Sequence, residues 1–204
     1  MQDLELSLPA AGITDESMTD LSTVADLTLL HRMSSGDEEA FTALYRRRQG
    51  GIYRFALQMS GSEAIAEDVT QEVFLLLIRE KSAYDPSRGS VQSFLYGVAR
   101  NHVLRALERN REGQLEEEVE PSDQGSCDAL TNLTREEALE AVRQAVLALP
   151  THYREVVVLC DLEEMDYAGA AGALGCSIGT IRSRLHRARG LLTSKLRADP
   201  ARCI

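Results

Sequence analysis

The stretch Met165–Leu196, M-D-Y-A-G-A-A-G-A-L-G-C-S-I-G-T-I-R-S-R-L-H-R-A-R-G-L-L-T-S-K-L, constrains the fold more than any other part of the chain. An Ala-rich helical segment ends at Gly175, a residue suited to the left-handed backbone of a helix C-terminus. Ser177 then offers a hydroxyl as N-cap for a second helix. Helix, tight glycine turn and second helix together are the sequence form of a helix-turn-helix. Turned at about 100° per residue, the second helix carries Ile181, Leu185, Ala188 and Leu192 on one stripe. Arg182, Ser183, His186 and Arg187 fall on the opposite side, with Arg184 and Arg189 at the flanks. A helix that buries the aliphatic stripe turns guanidinium, hydroxyl and imidazole groups outward. Arginine bonds bidentately to guanine in the major groove, and its neighbours neutralise phosphates. An ordinary solvated helix presents a charged face too, so this stretch alone leaves both readings open.

The 204 residues suffice for one or two small domains with their own cores. Trp is absent and aromatics are few, which favours helical cores of Leu, Val and Ala over a large sheet. The formal net charge of −10 argues against nucleic acid only until it is divided along the chain. Residues 1–26 and 111–136 each carry −6, while residues 178–204 carry +6. The base is thus concentrated at the basic helix. The four cysteines, at 127, 160, 176 and 203, form no CxxC pair, so reduced structural thiols are expected rather than a zinc or redox site. No P-loop, HExxH or GxGxxG occurs, and neither cofactor nor metal is expected. The first residues lack the basic start and apolar run of a signal peptide, and the apolar run at residues 73–78 is too short to span a bilayer. A cytoplasmic protein without membrane insertion is the expectation.

Residues 1–25 are acidic, rich in Ser and Thr and without periodicity, and read as a mobile tail. A short helix near Leu27–Met33 closes at Gly36. Asp37 caps the next, which runs from Glu38 to Tyr53 or beyond with Ala40, Phe41, Leu44 and Tyr45 as its apolar stripe. Arg46, Arg47 and Arg48 follow as a basic run, read as solvated. Ser62 caps a helix over 63–81, whose buried face is Ile65, Val69, Val73, Leu76 and Leu77. Asp68, Gln71 and Glu72 are displaced from that face and project together. Asp85-Pro86-Ser87-Arg88-Gly89 is a turn, and a helix follows from about Ser90 to Arg109. Arg100, Asn101, His102 and Arg105 are polar on it, with Tyr84, Phe94 and Tyr96 nearby. Such a mixture of bases and rings suits unstacked single-stranded bases, although aromatics at this spacing also serve plain cores. An acidic segment punctuated by Gly, Pro and Ser then reads as a linker. Thr134-Arg135-Glu136-Glu137 is a capping box for a helix to about Leu149, which Pro150 stops. The V-V-V-L of Tyr153–Leu162 has strand propensity but would lack a pairing partner, so a helix is expected there.

D-E-E-A-F-T-A-L-Y, D-V-T-Q-E-V-F, the Y-D-P loop, S-F-L-Y-G-V-A-R-N, A-L-P-x-x-Y-R-E-V-V-V-L and G-T-I-R-S-R-L-H-R-A-R occur in the order seen in extracytoplasmic-function (ECF) sigma factors. The chain resembles this family, small two-domain members of the sigma-70 family, from about Asp26 to Leu196. The resemblance implies an all-α protein: after the 1–25 tail, a region 2 helical bundle over 26–110, an acidic linker over 111–133, and a region 4 helix-turn-helix domain over 134–198. It implies a dissociable promoter-specificity subunit that binds core RNA polymerase through the clamp helices of the largest subunit and the flap, and also promoter DNA. An anti-sigma partner is implied as well. By position, Asp68, Gln71 and Glu72 match the clamp-docking segment. Tyr84 and its loop, with Phe94, Arg100, Asn101 and Arg105, match the −10 readers. Thr180, Arg182, Ser183, Arg184, His186 and Arg187 match the −35 readers. Two departures stand out. Phe94 replaces the usual Trp, and Gly169-Ala170-Ala171-Gly172 replaces a Glu-Ile-Ala helix. Each interior glycine costs about 0.5–1 kcal/mol relative to Ala, which predicts a region 4 that leans on its partners.

Two rival readings remain at this stage. A stand-alone helix-turn-helix regulator accounts for Met165–Leu196 but leaves residues 27–109 without a purpose. Gly175-Cys176-Ser177-Ile178-Gly179 fits the G-x-S-x-G nucleophile elbow, but that motif needs a strand before it, where this chain predicts a helix.

Overall fold

The computed structural model describes residues 24–80, 83–116 and 135–198. The acidic tail up to residue 23, most of the expected linker, the Thr134 cap, Cys127 and Cys203 lie outside the described residues. Among the described residues every regular element is helical, as the sequence leads one to expect.

The first lobe is built from α1 (Asp26–Ser34), α2 (Glu38–Ser60), α3 (Glu63–Arg79), a 3₁₀ turn at Pro86–Arg88 and α4 (Val91–Glu116). Capping fixes where these helices begin. The Asp37 carboxylate accepts from the Ala40 N–H at 3.0 Å, and the Ser62 hydroxyl from the Ile65 N–H at 3.4 Å. Gly61, with φ 72°, ends α2 in the left-handed conformation that glycine adopts without strain. The α2 helix packs against α1, α3 and α4 and carries the centre of the core, with Leu44, Ile52, Phe55 and Met59 buried. On α3 the buried face is Ala66, Val69, Thr70, Val73, Phe74 and Leu77, whereas Ile65 and Leu76 are only half-buried. Two of the three arginines read as a solvated run are engaged: Asp26 at the head of α1 takes Arg47 at 2.7 Å and Arg48 at 2.5 Å.

The second lobe contains α5 (Arg135–Leu147), α6 (Thr151–Val157), a wide π turn at Val158–Leu162, α7 (Tyr167–Leu174) and α8 (Ile178–Ala198). The Val-rich run is helical, as expected for strand-like residues without a partner strand. Val156, Val157, Val158 and Leu159 are all buried. The π turn closes where the Glu163 N–H donates to the Val158 carbonyl and the Met165 N–H to that of Leu159, each at 2.9 Å. Glu164 takes φ 52°, rare for a residue with a Cβ. The acid side chain of Glu163, just before it, reaches toward the first lobe.

The lobes meet along α4 and α7, with further contacts from α2 to α5, α6 and the π turn. Arg154 fastens the corner. It donates to the Met59 carbonyl at 2.5 Å and to the Leu149 carbonyl at 3.1 Å, and also reaches that of Leu147. The first and last of these acceptors sit at helix C-termini, where carbonyls lack partners of their own. No described helix is long and apolar enough to cross a membrane.

Candidate nucleic-acid interface

The helix-turn-helix forms as its spacing predicts. Asp166 caps α7 by accepting from the Gly169 N–H at 2.6 Å, and Gly175 ends it at φ 62°. The Ser177 hydroxyl accepts from the Thr180 N–H at 3.1 Å and shares a 2.9 Å bond with the Thr180 hydroxyl. Ser177 is therefore a helix cap between two helices, and no strand feeds it as a nucleophile elbow requires.

Ile181, Leu185 and Ala188 are buried at 2% exposure or less, and this fixes the roll of α8. Arg182, Ser183, His186 and Arg187 consequently stand exposed along one side, while Thr180 and Arg184 are half-buried. The Arg182 guanidinium lies 5.7 Å from the centre of the Tyr167 ring, a cation–π approach that steadies it. Arg189, at the flank, is held bidentately by Asp161 at 2.6 and 3.1 Å. It braces α8 against the π turn.

A second cluster surrounds the loop between α3 and α4. The Tyr84 hydroxyl donates to the Gly89 carbonyl at 2.8 Å, and its ring meets Phe94 edge-on at 5.6 Å. Asp85 accepts from the Ser87 N–H at 2.9 Å and its hydroxyl at 2.8 Å, and the hydroxyl bond leads in holding this carboxyl below its ordinary value. Tyr84, Asp85, Phe94, Arg100 and Asn101 line one side of a 330 Å³ cavity. Its other side is Gly172–Gly175, the end of α7. Arg105, expected in this group, lines a different groove.

That groove, of 680 Å³, brings Asp68, Gln71 and Glu72 of α3 opposite His102, Arg105, Glu108 and Arg109 of α4. Asp68, Gln71 and Glu72 are exposed, as their displacement from the apolar stripe predicts. Charges of both signs face each other across the groove.

Sequence reasoning overlooked the groups that join the lobes. Glu155, 1% exposed, accepts from Arg100 Nε at 2.6 Å. Glu163, its side chain 4% exposed, takes Arg54 through two bonds of 2.9 Å and the Tyr96 hydroxyl at 2.9 Å. Burial, ahead of the neighbouring carboxylate, pushes the Tyr96 hydroxyl above its ordinary value, while the Glu163 bond raises Arg54. One signal was available: Glu155 lies three and four residues before buried Val158 and Leu159, a carboxylate inside an apolar stripe.

Comparison with known proteins agrees with this geometry. The model of sigma-70 region 2 matches residues 44–112, and that of sigma-70 region 4 matches residues 139–192. The ECF RNA polymerase sigma factor SigE of Mycolicibacterium smegmatis is 33% identical over 171 residues, covering 80% of this chain and 65% of that protein. The ECF RNA polymerase sigma-E factor of Escherichia coli K12 is 30% identical over 185 residues, covering 85% of this chain and 95% of that one. Among solved structures, CnrH in complex with the cytosolic domain of CnrY superposes with a TM-score of 0.66 at 28% identity, covering 86% of this chain and 99% of CnrH.

Proposed function

The chain belongs to the sigma-70 family as an ECF sigma factor, a subunit that directs RNA polymerase to promoters, and we propose how its two lobes divide that work. Region 4 reads the −35 element with Arg182, Ser183, His186 and Arg187 in the major groove, and Thr180 and Arg184 flank them. Region 2 receives an unstacked base of the −10 element in the cavity beside Tyr84 and Phe94, with Arg100 and Asn101 on the flanking backbone. Unstacking costs a few kcal/mol, so melting is driven by the pocket that takes the base and by contacts to the polymerase. Asp68, Gln71 and Glu72 dock on the clamp helices, with Arg105 across the groove from them. A free chain of net charge −10 binds DNA poorly, and the polymerase supplies most of the attraction.

One observation carries this reading: the buried stripe of α8 leaves a basic, hydroxylated face outward, and that face coincides with the positions the family uses for −35 contacts. CnrH is solved in complex with the cytosolic domain of CnrY, and together with the anti-sigma partner the family resemblance implies, this supports a protein partner of that kind for this chain. A stand-alone regulator explains region 4 but not the region 2 match over residues 44–112.

Run-off transcription with bacterial core polymerase on a library of genomic fragments tests the reading. Discrete start sites that depend on the chain are expected, and Arg182→Ala with Arg187→Ala should abolish them. Start sites unchanged by adding the protein would overturn it.

A further inference from the structure

The basic run Arg46, Arg47 and Arg48 has no part in the division of work above, yet two of its members line a second cavity beside the −10 loop. This cavity, of 500 Å³, is bordered by Asp26, Arg47, Arg48 and Gln92. Tyr84 and Ser90 border it too, and the same two residues border the 330 Å³ cavity given to the unstacked base. Tyr84 is therefore a partition, with Arg100 and Asn101 on one side and Arg47 and Arg48 on the other. Its place is fixed by the hydroxyl bond to the Gly89 carbonyl and the edge contact with Phe94. Every described residue around the second cavity belongs to the first lobe or to the short lead-in to α1.

The two arginines are set in advance. Asp26 takes Arg47 at 2.7 Å on one oxygen and Arg48 Nε at 2.6 Å on the other, and Arg47 also donates to the Val24 carbonyl at 2.6 Å. Their side chains keep 24% and 26% exposure, so they are held without being sealed off. Two guanidiniums against one carboxylate leave a surplus of one positive charge. A brace for α1 needs only one arginine for its one carboxylate.

Pre-positioned guanidinium groups with charge to spare suit a phosphate, and a ring beside them suits a base that has lost its stacking partner. We propose that the second cavity seats the nucleotide next to the unstacked −10 base, on the side of Tyr84 away from Arg100 and Asn101. Arg47 and Arg48 hold the phosphate that joins the two nucleotides, and the Gln92 amide bonds the edge of the second base. The single strand thus passes over Tyr84, which keeps the two bases apart. An amide carries both donor and acceptor, so this seat adds a base preference at one further position. The inference rests on the assignment of the first cavity to an unstacked base.

The test uses holoenzyme assembled from core polymerase and the full chain. Its probe is a labelled fork fragment of a promoter found by the run-off experiment, with one strand of the −10 segment left single. Fluorescence anisotropy reads affinity over a series of potassium chloride concentrations. Losing one phosphate contact on a single strand flattens the salt slope by about 0.7, which is roughly fourfold in affinity at ~0.15 M salt. Arg48→Gln should show that loss, and Arg48→Lys, which keeps the charge, should show little of it. Asp26→Asn removes the competing carboxylate and should tighten binding by a similar factor. Gln92→Leu should erase discrimination among bases at the one position beside the unstacked base and leave the salt slope as it was. Thermal unfolding confirms that each variant folds. A wild-type slope for Arg48→Gln, with binding weakened by Arg100→Gln, overturns the second seat and leaves the first. Wild-type binding by both variants overturns the −10 assignment itself. Asp26→Asn that weakens binding in step with Arg48→Gln reduces the cluster to a brace for α1 and overturns the phosphate role. Base discrimination unchanged by Gln92→Leu overturns the seat for the second base.

Discussion

Gly51 on α2 and Tyr96 on α4 approach so closely that a Cβ on the glycine would stand 2.5 Å from the Tyr96 hydroxyl oxygen. No real Cβ tolerates that distance. The tyrosine cannot swing aside freely, because Phe55 meets its ring edge-on at 5.5 Å and Glu163 holds its hydroxyl. An interior glycine that sequence reading counts as a helix weakness is here the space that lets a cross-lobe hydrogen bond form.

Gly51→Ala should therefore destabilise the chain despite better helix propensity. Alanine gains about 1 kcal/mol in a helix interior, but displacing the hydroxyl sacrifices a hydrogen bond to a charged group worth about 1.5–3 kcal/mol. A net loss of about 1 kcal/mol in urea unfolding is expected. Adding Tyr96→Phe removes the oxygen that the new methyl meets, so the double variant should lose less than the two singles summed. Strict additivity would show that the close approach does not govern stability.

The pair Arg100–Glu155 makes a second case. Removing one member of a buried ion pair commonly costs about 3–5 kcal/mol, because the other charge stays dry. Glu155 lies at the seam between the lobes, so a local opening there would let it reach water and cap the penalty. Arg100→Leu should cost about 1–3 kcal/mol in urea unfolding and should expand the chain in scattering, whereas Arg100→Leu with Glu155→Leu should recover most of the loss. A single variant as stable as wild type would mean that the pair adds nothing to closure.

How far the sequence could be read depended on whether its signals were local. The roll of α8 follows from Ile181, Leu185 and Ala188 at helical spacing, and the caps at Asp37, Ser62 and Ser177 each lie within three residues of their partners. The exposed polar trio of α3, Asp68, Gln71 and Glu72, was legible for the same reason. The end of α4 was not: the helix runs to Glu116, past the expected Arg109 and through Gly113, into the segment whose composition reads as linker. The pairings Arg100–Glu155 and Arg54–Glu163 span 55 and 109 residues, and no periodicity reports such distances. Arg105, which the family resemblance groups with Arg100 and Asn101, lines the groove opposite Asp68 and Glu72, a placement that spacing along α4 does not report.

Ser177 separates a folding role from a binding role. Ser177→Ala removes the cap on α8 and should cost about 1 kcal/mol in thermal unfolding. Ser177→Asp keeps a capping acceptor and also suits the helix dipole, so stability should return. The new negative charge would sit beside the proposed −35 face, and binding of promoter duplex by the polymerase holoenzyme should weaken several-fold. Aspartate that failed to restore stability would contradict the cap assignment.

The ring of Tyr167 positions Arg182. Tyr167→Phe keeps the cation–π contact and should leave promoter selectivity intact. Tyr167→Ala releases the guanidinium and forfeits about 0.5–1 kcal/mol, a loss of several-fold in discrimination between −35 sequences. Holoenzyme binding to matched and mismatched −35 duplexes measures it. Equal discrimination by Tyr and Ala variants would remove Tyr167 from the reading mechanism.

Cys160 supplies a pH dependence with a definite sign. Burial is the main cause pushing its thiol up to about 11 from an ordinary 9.0, with Asp161 adding to the effect. The folded chain holds this proton more tightly than the unfolded one, so the contribution to stability is complete below about pH 9 and fades as pH rises through about 11. Denaturant midpoints measured across that range should fall for wild type and fall less for Cys160→Val, which has no thiol to ionise. The same protonation keeps the sulfur a poor nucleophile, so iodoacetamide at about pH 8 should modify Cys160 more slowly in the native chain than in urea. Modification at the denatured rate would show that the thiol is open to solvent and ionises as a free cysteine does.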